Sequence, residues 1–308
     1  MSPPQNRTVG LIGIGLVGTA LAELLIRAGY QLVGYDLSEE ARRRLETLGG
    51  EAASSSAEVA QKALRLVLSL PDSEAVRMAL LGPDGALQGK VSVRYVLDTT
   101  TGDPEITEAI AEECSRRGVG FLDATISGSS RQVREKTAVL MVGAEPQALE
   151  ACRDLLEAIS NRTIHLGPPG SGAKAKLATN LMLGLNRLVL AEGLLFAEAL
   201  GLDPGAFLDL VRQTPAYSAA VDSKGQKMIQ GDFSPESRVR QHRKDVELIL
   251  RHAKKRGLIL PLTRLHAEVL DALIAGGMGD WDNAAVILAL RGWRSEPEAQ
   301  QTPPSREE

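Results

Sequence analysis

Six residues near the start of the chain have the types and spacing needed to bind phosphate. They form the run Gly13-Ile14-Gly15-Leu16-Val17-Gly18, which follows an apolar stretch and opens a helical pattern. In such a strand-turn-helix the first glycine permits a tight turn, the second admits a pyrophosphate, and the third lets helix and sheet pack closely. The N–H groups and positive dipole of the helix N-terminus attract the phosphates. The run therefore predicts a dinucleotide site.

An acidic residue at the end of the next apolar stretch bears on the choice of dinucleotide. Asp36 lies where a carboxylate binds the adenosine ribose hydroxyls and repels a 2′-phosphate, so we expect NAD. NADP stays open, because Arg42, Arg43 and Arg44 follow closely enough to reach a phosphate. A charge run of this kind is more typical of a solvated helix face.

A second set of polar residues lies on a long apolar stretch with helical periodicity. Lys176 and Asn180 are four residues apart and Arg187 follows in phase, which places all three on one helix face. Lys174 falls on the opposite side. A buried polar stripe is costly unless it is paired or used, whereas a solvent-facing stripe would need no function. The spacing leaves both interpretations open.

Other arrangements for proton transfer fit the sequence poorly. No tyrosine is followed by a lysine four residues later, and His165 stands alone in a predicted linker without an evident acidic partner. The histidines and cysteines lack the spacing of metal ligands, so we expect no metal site. Cys114 and Cys152 are interpreted as packed core residues.

The elements that must position these residues follow from the pattern of apolar residues. From Thr8 to about Leu166, short β-rich runs alternate with helical periods, which predicts βαβ units and a doubly wound, mostly parallel Rossmann sheet with helices on both faces. The predicted strands are Val9–Ile14, Gln31–Tyr35, Arg65–Leu68, Tyr95–Leu97, Gly120–Leu122 and Val139–Val142. The predicted helices are Gly18–Ala28, Glu39–Leu48, Ser56–Ala63, Ser73–Leu80, Glu105–Arg117 and Pro146–Ile159.

The alternation stops at the glycine- and proline-rich segment 167–172. We expect an α/β Rossmann domain over residues 1–166, an all-helical substrate and oligomerisation domain over 167–294, and a disordered tail over the polar residues 295–308. A long helix from about Ala173 to Leu200 joins the two domains. The later predicted helices are Pro204–Gln213, Ser218–Gln230, His242–Arg256, Leu262–Ala275 and Ala284–Arg291.

The composition restricts partners and location. A net charge of -4 and an aromatic content of 3% favour neither a nucleic-acid partner nor a base-stacking surface. The apolar stretch 177–200 carries several polar residues and the N-terminal one is interrupted by glycines, so we expect neither a membrane span nor a signal peptide. A cytoplasmic protein is therefore expected.

Several ordered motifs resemble those of the β-hydroxyacid dehydrogenase family, which includes 3-hydroxyisobutyrate dehydrogenase, tartronate semialdehyde reductase and, more distantly, 6-phosphogluconate dehydrogenase. The resemblance covers the chain from about Thr8 to Trp293. Beside the glycine run, it rests on Leu70-Pro71, Asp98-Thr99-Thr100-Thr101-Gly102-Asp103-Pro104, Asp123-Ala124-Thr125-Ile126-Ser127-Gly128-Ser129, the segment from Gly170 to Asn180, Gly231-Asp232-Phe233-Ser234-Pro235 and Lys244-Asp245.

The resemblance implies reversible, NAD(P)-dependent oxidation of a small β-hydroxy acid to its semialdehyde or keto acid. Lys176 would be the general acid/base and Asn180 would orient the substrate, while Ser127 and the Gly128 N–H would hold a carboxylate. We expect this site in the cleft between the sheet's carboxyl edge and the helical domain. Beside Asp36 and the glycine run, the residues implied at the cofactor are Leu70, Pro71, Thr101 and Lys244.

Three positions depart from the family's pattern. Thr125 stands in place of proline, Ser129 in place of glycine and Thr179 in place of an asparagine. With Ser130 and Arg131, Ser129 could add polar contacts to a substrate, so the departures are interpreted as a shifted substrate preference, with neutral drift as the alternative.

Two other functions are weighed against this one. An imine reductase of similar fold would usually lack the lysine at position 176, and a non-catalytic NAD(P)-binding sensor or scaffold would not need the whole polar set. A homodimer or homotetramer is expected, because the long helix carries more apolar surface than its own domain can cover.

Overall fold

A computed structural model describes residues 7–89 and 92–293. Within these ranges one sheet has the strand order β3-β2-β1-β4-β5-β6-β7-β8, and all neighbours are parallel except β6 and β7. The strands are β1 (Thr8–Ile12), β2 (Gln31–Tyr35), β3 (Glu51–Ala52), β4 (Arg65–Leu68), β5 (Tyr95–Asp98), β6 (Gly120–Ser127), β7 (Val139–Ala144) and β8 (Arg162–Gly167).

Helices cover both faces of this sheet. They are α1 (Leu16–Arg27), α2 (Glu39–Thr47), α3 (Ser56–Lys62), α4 (Ser73–Leu81), α5 (Pro104–Arg116), α6 (Ser130–Arg134), α7 (Pro146–Ala151) and α8 (Arg153–Ile159). Side chains of Ser38, Ser55, Asp72 and Asp103 cap α2 to α5 in turn, which fixes where each helix begins. One apolar cluster packs α1, α2, α6 and α8 on the sheet, and a second packs α3, α4 and α5. The predicted doubly wound, mostly parallel sheet is confirmed.

The described chain beyond β8 is helical, as predicted. It comprises α9 (Ser171–Ala199), α10 (Pro204–Val211), a π-helical turn (Val221–Gly225), α11 (Gln226–Gln230), α12 (Val239–Lys255), α13 (Pro261–Ala275), a 3-10 turn (Asn283–Ala285) and α14 (Val286–Gly292).

Two compact units divide this chain. The first contains the described residues up to Leu181 together with Lys244–Leu258, and the second contains Met182–Arg243 and the described residues from Ile259 onward. Helices α9 and α12 therefore each contribute residues to both units. The domain boundary after residue 166 stays a prediction, and the tail predicted over 295–308 lies outside the described residues.

Several predicted elements were wrong in extent. Strand β6 continues to Ser127 rather than ending at Leu122, and the helix predicted over Pro146–Ile159 is broken where Cys152 leaves helical geometry, at φ -113° and ψ 8°. Strands β3 and β8 and helix α6 were missed, since β3 and α6 are short and β8 is exposed along nearly its whole length. His165 lies in β8, not in a linker, with Nε2 at 2.9 Å from the Ala144 carbonyl.

Candidate active site

The turn between β1 and α1 has the backbone geometry that its glycines predicted. We call residues 13–18 the phosphate turn. Gly13 has φ +93°, and a Cβ there would lie 2.3 Å from the Ser69 carbonyl oxygen. A Cβ on Gly18 would lie 2.1 Å from the Gly13 carbonyl oxygen, so both positions need glycine for the fold itself.

Gly15 is different, because a Cβ there would meet no atom within 4 Å. Its backbone is exposed, as is Leu16, where α1 begins. The start of α1 has no side-chain cap and no acidic residue in its first turn. The first N–H groups of a helix lack partners within the helix, so this exposed helix start offers donors that suit a pyrophosphate.

Asp36 follows β2 and binds the phosphate turn directly. Its carboxylate accepts hydrogen bonds from the Ile14 N–H at 2.7 Å and the Ser38 N–H at 2.8 Å. Arg42 donates to the Asp36 carbonyl oxygen at 2.5 Å, and Arg44 donates to the Ile14 carbonyl oxygen at 3.5 Å. Both guanidinium groups thus reach the backbone around the predicted ribose site. Arg43 and Arg44 are nevertheless exposed and pair with Glu39 and Glu40 of the same helix, so the solvated-face interpretation fits these two residues and not Arg42.

The loops after β4 and β5 are joined by one ammonium group. Lys244, on α12, donates to the Pro71 carbonyl oxygen at 2.7 Å and to the Thr101 carbonyl oxygen at 2.6 Å. The neighbouring loop backbone is also linked, since the Leu70 N–H donates to the Thr100 hydroxyl at 3.0 Å. The structure therefore brings Leu70, Pro71, Thr101 and Lys244 together, as the sequence interpretation required.

Helix α12 is fixed to the same unit by the residue that caps α5. Asp103 binds Arg251 at 2.6 Å through Oδ2 and the His252 ring at 3.0 Å through Oδ1. Both partners lie about two turns beyond Lys244 on α12. These bonds hold the helix close to the loop that contains Thr101.

Lys176 and Asn180 point into the protein rather than into solvent. Their side chains are buried, with relative exposures of 7% and 4%, whereas Lys174 is exposed and pairs with Glu108. The Asn180 amide donates to Asp245 Oδ2 at 2.9 Å, and Asp245 Oδ1 lies 3.3 Å from Lys244 Nζ. The solvent-facing interpretation of the stripe is therefore wrong.

We call Lys176, Asn180, Lys244 and Asp245 the lysine cluster. All four belong to the first compact unit. Burial raises the pKa of Asp245, against the opposing effect of the Lys244 and Lys176 ammonium charges and the hydrogen bond from Asn180. Asp245 was not among the predicted site residues, although it appeared within the Lys244-Asp245 motif.

Arg187, the third member of the predicted stripe, is buried in the second unit. There burial, with the positive charge of Arg187, lowers the pKa of His266 to about 4. Arg187 thus belongs to a different unit from the lysine cluster, and we assign it no role there.

The predicted carboxylate-binding turn follows β6. Ser127 is half-buried at the end of the strand, and Gly128 has φ +155° with a hypothetical Cβ only 2.8 Å from that of Ala138. Glycine is therefore required at position 128, and the turn that it allows presents its backbone beside Ser127.

Family models match both halves of the chain. One, described as the NAD binding domain of 6-phosphogluconate dehydrogenase, matches residues 8–167. Another, described as NAD-binding of NADP-dependent 3-hydroxyisobutyrate dehydrogenase, matches residues 170–290. The chain belongs to the β-hydroxyacid dehydrogenase family. It is an NAD(P)-dependent oxidoreductase, and the resemblance inferred from its motifs is confirmed.

Two relatives and one solved structure illustrate the similarity over most of the chain. The 2-hydroxy-3-oxopropionate reductase of Escherichia coli (strain K12) is 29% identical, covering 92% of this chain and 96% of its own. A probable 3-hydroxyisobutyrate dehydrogenase-like protein (like 1, mitochondrial) of Arabidopsis thaliana is 30% identical, covering 93% and 86%. The crystal structure of 3-hydroxyisobutyrate dehydrogenase from Salmonella typhimurium has a TM-score of 0.82 and 26% identity, covering 91% and 99%.

Each departure from the family's pattern makes bonds within this dehydrogenase. The Thr125 hydroxyl donates to the Gly172 carbonyl oxygen at 3.0 Å, and the Thr179 hydroxyl to that of Ala175 at 3.0 Å. Ser129 caps α6 in a reciprocal capping box with Gln132. These bonds stabilise local structure, so the departures by themselves do not indicate a changed substrate.

Two buried carboxyl groups lie side by side in the sheet. Asp98 and Asp123 are register partners on β5 and β6. Burial raises the pKa of Asp98 to about 7, with a smaller contribution from Asp123, and burial raises the pKa of Asp123 to about 6. The sequence interpretation treated them only as parts of motifs.

Among residues 7–89 and 92–293, no group of three or more histidine, cysteine, aspartate or glutamate residues could hold a metal ion. Helix α9 is long and apolar enough to cross a membrane by composition, a test that core helices also pass. The absence of a metal and of a membrane partner stay predictions.

Proposed function

We propose that this dehydrogenase oxidises a small β-hydroxy acid, with Lys176 as the general base, and catalyses the reverse reduction with the same group as the acid. The observation that carries the proposal is the buried lysine one helical turn from Asn180, beside a carboxylate that fixes the Asn180 amide. Because the amide nitrogen donates to Asp245, the Asn180 oxygen is left to accept from a substrate hydroxyl.

Lys176 and Lys244 have different roles in the proposed reaction. In oxidation the neutral Lys176 amine removes the hydroxyl proton and becomes an ammonium, which can return that proton in reduction. Nicotinamide, when bound, supplies the centre that accepts or donates the hydride. Lys244 is already fixed on two carbonyl groups, so we assign it to positioning the two loops beside the cofactor.

We assign the substrate carboxylate to Ser127 and the Gly128 N–H. A hydroxyl and a backbone N–H at a turn both donate to an anion. The negative substrate would then be held at the end of β6, and its hydroxyl would be directed to Lys176.

Asp36 favours NAD, while two neighbouring arginines leave NADP usable. The Asp36 carboxylate lies where it would repel a 2′-phosphate, whereas Arg42 and Arg44 would attract one. The carboxylate accepts two N–H bonds and is therefore fixed in place, so we expect NAD to be preferred.

A homodimer or homotetramer is proposed from the exposed face of α9. Met182, Val189 and Phe196 are spaced by seven residues and are 64%, 68% and 66% exposed. Such an apolar row is typical of a helix that packs on another subunit. A cytoplasmic location is proposed because Cys114 and Cys152 are buried and unbridged, as is common in a reducing compartment.

The test is a substrate panel with NAD and NADP in parallel. It contains 3-hydroxypropionate, glycerate and 3-hydroxyisobutyrate as acids to be oxidised. The semialdehydes formed by oxidation of their hydroxyl groups are tested with NADH, and a cyclic imine is tested with NADPH. We expect turnover of at least one acid–aldehyde pair, faster with the unphosphorylated cofactor. Turnover of the imine without any hydroxy acid would overturn the proposal in favour of an imine reductase, and an absence of turnover with every acid–aldehyde pair would also contradict it.

A further inference from the structure

Strand β6 carries polar residues on one of its faces and apolar residues on the other. Asp123, Thr125 and Ser127 alternate along the polar face, because successive side chains of a strand point to opposite sides. Leu122, Ala124 and Ile126 on the other face belong to an apolar cluster. The polar face begins with the buried Asp123 and ends at the turn assigned to the substrate carboxylate.

The first turn of α9 is bound to this polar face. Asp123 accepts from the Gly170 N–H and from the Ala173 N–H, both at 2.7 Å. Close contact is possible because glycine occupies positions 143 and 172, where a Cβ would lie 2.4 Å and 2.8 Å from the Asp123 oxygens. The carboxylate thus caps the helix on which Lys176 lies, at the end where a negative charge is favourable.

Thr125, two residues after Asp123 on β6, adds a second hydrogen bond to α9. Its side chain is completely buried, and its hydroxyl donates to the Gly172 carbonyl oxygen at 3.0 Å, with the Met141 carbonyl oxygen further away at 3.3 Å. In an α-helix the carbonyl of residue 172 accepts from the N–H of residue 176. The hydroxyl of Thr125 is therefore bound to the peptide group that also holds the backbone of Lys176.

We propose that Thr125 is a positioning residue, which fixes the first turn of α9 on β6 and thereby sets the placement of Lys176 relative to Ser127 and Gly128. The inference rests on the proposed role of Lys176. Proline, the residue of the family's pattern at this position, has no hydroxyl, so this bond distinguishes the present chain. Small errors in the placement of a proton-transfer group lower kcat more than they lower substrate binding.

The experiment compares the wild type with Thr125→Val, and Thr125→Ser with Thr125→Ala, so that the members of each pair differ by one hydroxyl. Thr125→Val removes the hydroxyl and keeps the branched shape, and Thr125→Ser against Thr125→Ala tests the same hydroxyl without the methyl group. With the best acid of the panel, we expect kcat of the valine and alanine variants to fall about fivefold to tenfold, as the loss of one hydrogen bond predicts. We expect KM and the dinucleotide Kd to stay within about twofold, and the serine variant to keep most of the wild-type kcat.

Two outcomes overturn the inference. The first is a wild-type kcat and wild-type stability in Thr125→Val. The second is a lower thermal stability of the valine and alanine variants with kcat intact, which is the result of a merely structural bond. Lys176→Met is measured alongside. If that variant keeps full activity, the proposed function fails, whereas an inactive Lys176→Met with a fully active Thr125→Val rejects the positioning role alone.

Discussion

The phosphate turn and the lysine cluster lie in the same compact unit but are built by different means. The phosphate turn is shaped by glycine backbone within one strand-turn-helix, and Asp36 fixes it from the next strand. The lysine cluster is assembled from side chains of α9 and α12, which are far apart in the chain. The first region depends on the absence of side chains at its glycines. The second depends on the charged and amide side chains that its residues carry.

The largest effect is expected from removing the amine. Lys176→Met should lower kcat by about 10²- to 10⁴-fold, the usual contribution of general acid–base catalysis, because no other group in the proposal takes the substrate proton. The dinucleotide Kd, measured by fluorescence titration, should change less than twofold. Lys174→Met is the matched control, since that exposed lysine lies two residues away and pairs with Glu108. Equal activity of the two variants would reject the catalytic role.

The phosphate turn should separate binding from folding. Gly15→Val places atoms in open space, so we expect normal thermal stability and a dinucleotide affinity at least about tenfold weaker, because the side chain occupies the place of the pyrophosphate. Gly13→Ala combines a φ of +93° with a contact to the Ser69 carbonyl, so we expect a loss of roughly 1–3 kcal/mol in the free energy of unfolding. Urea unfolding measures the stability of each variant, and titration with the dinucleotide measures its affinity. The reversed pattern would contradict the assignment of Gly15.

The charge in the lysine cluster should appear in the pH profile of oxidation. Asp245→Asn removes an anion that interacts with the ammonium form of Lys176, so the ascending limb of kcat should move to lower pH, by about one unit for a close pair. Rates measured from pH 6 to pH 10 provide the midpoint. Asp280 is an exposed carboxylate that pairs with Arg240, so Asp280→Asn is the control and should leave the midpoint unchanged. A shift to higher pH would mean that Asp245 does not act by its charge.

The smallest effect concerns the buried carboxyl groups. The pKa of Asp98 is raised from 3.8 to about 7, so the folded state binds a proton that the unfolded state has released. The favourable contribution of that proton is present below pH 4 and is lost as pH rises through 7. Asp98→Asn should therefore flatten the fall in melting temperature between pH 5 and pH 8. Some slope should persist, because Asp123 titrates in the same direction. An unchanged slope would argue against a protonated Asp98.

The difference between the two regions also explains what could be predicted from the sequence. The phosphate turn and Asp36 are local signals, because glycine spacing specifies the turn and a parallel sheet brings neighbouring strand ends together. The shared face of Lys176 and Asn180 follows from helix periodicity, but its burial does not, since the covering residues come from α12. Asp245 was missed for that reason. The exposed β8 was missed because its side chains lack the apolar pattern of an inner strand.

The first compact unit is discontinuous, since Lys244–Leu258 returns to it after an excursion of about 60 residues. A gene fragment that stops at codon 181 would encode all eight strands and yet lack the helical segment that bonds to Pro71, Thr101 and Asp103. A chimera that contains the nucleotide-binding half must therefore also contain this segment, either joined through a linker or supplied as a second polypeptide.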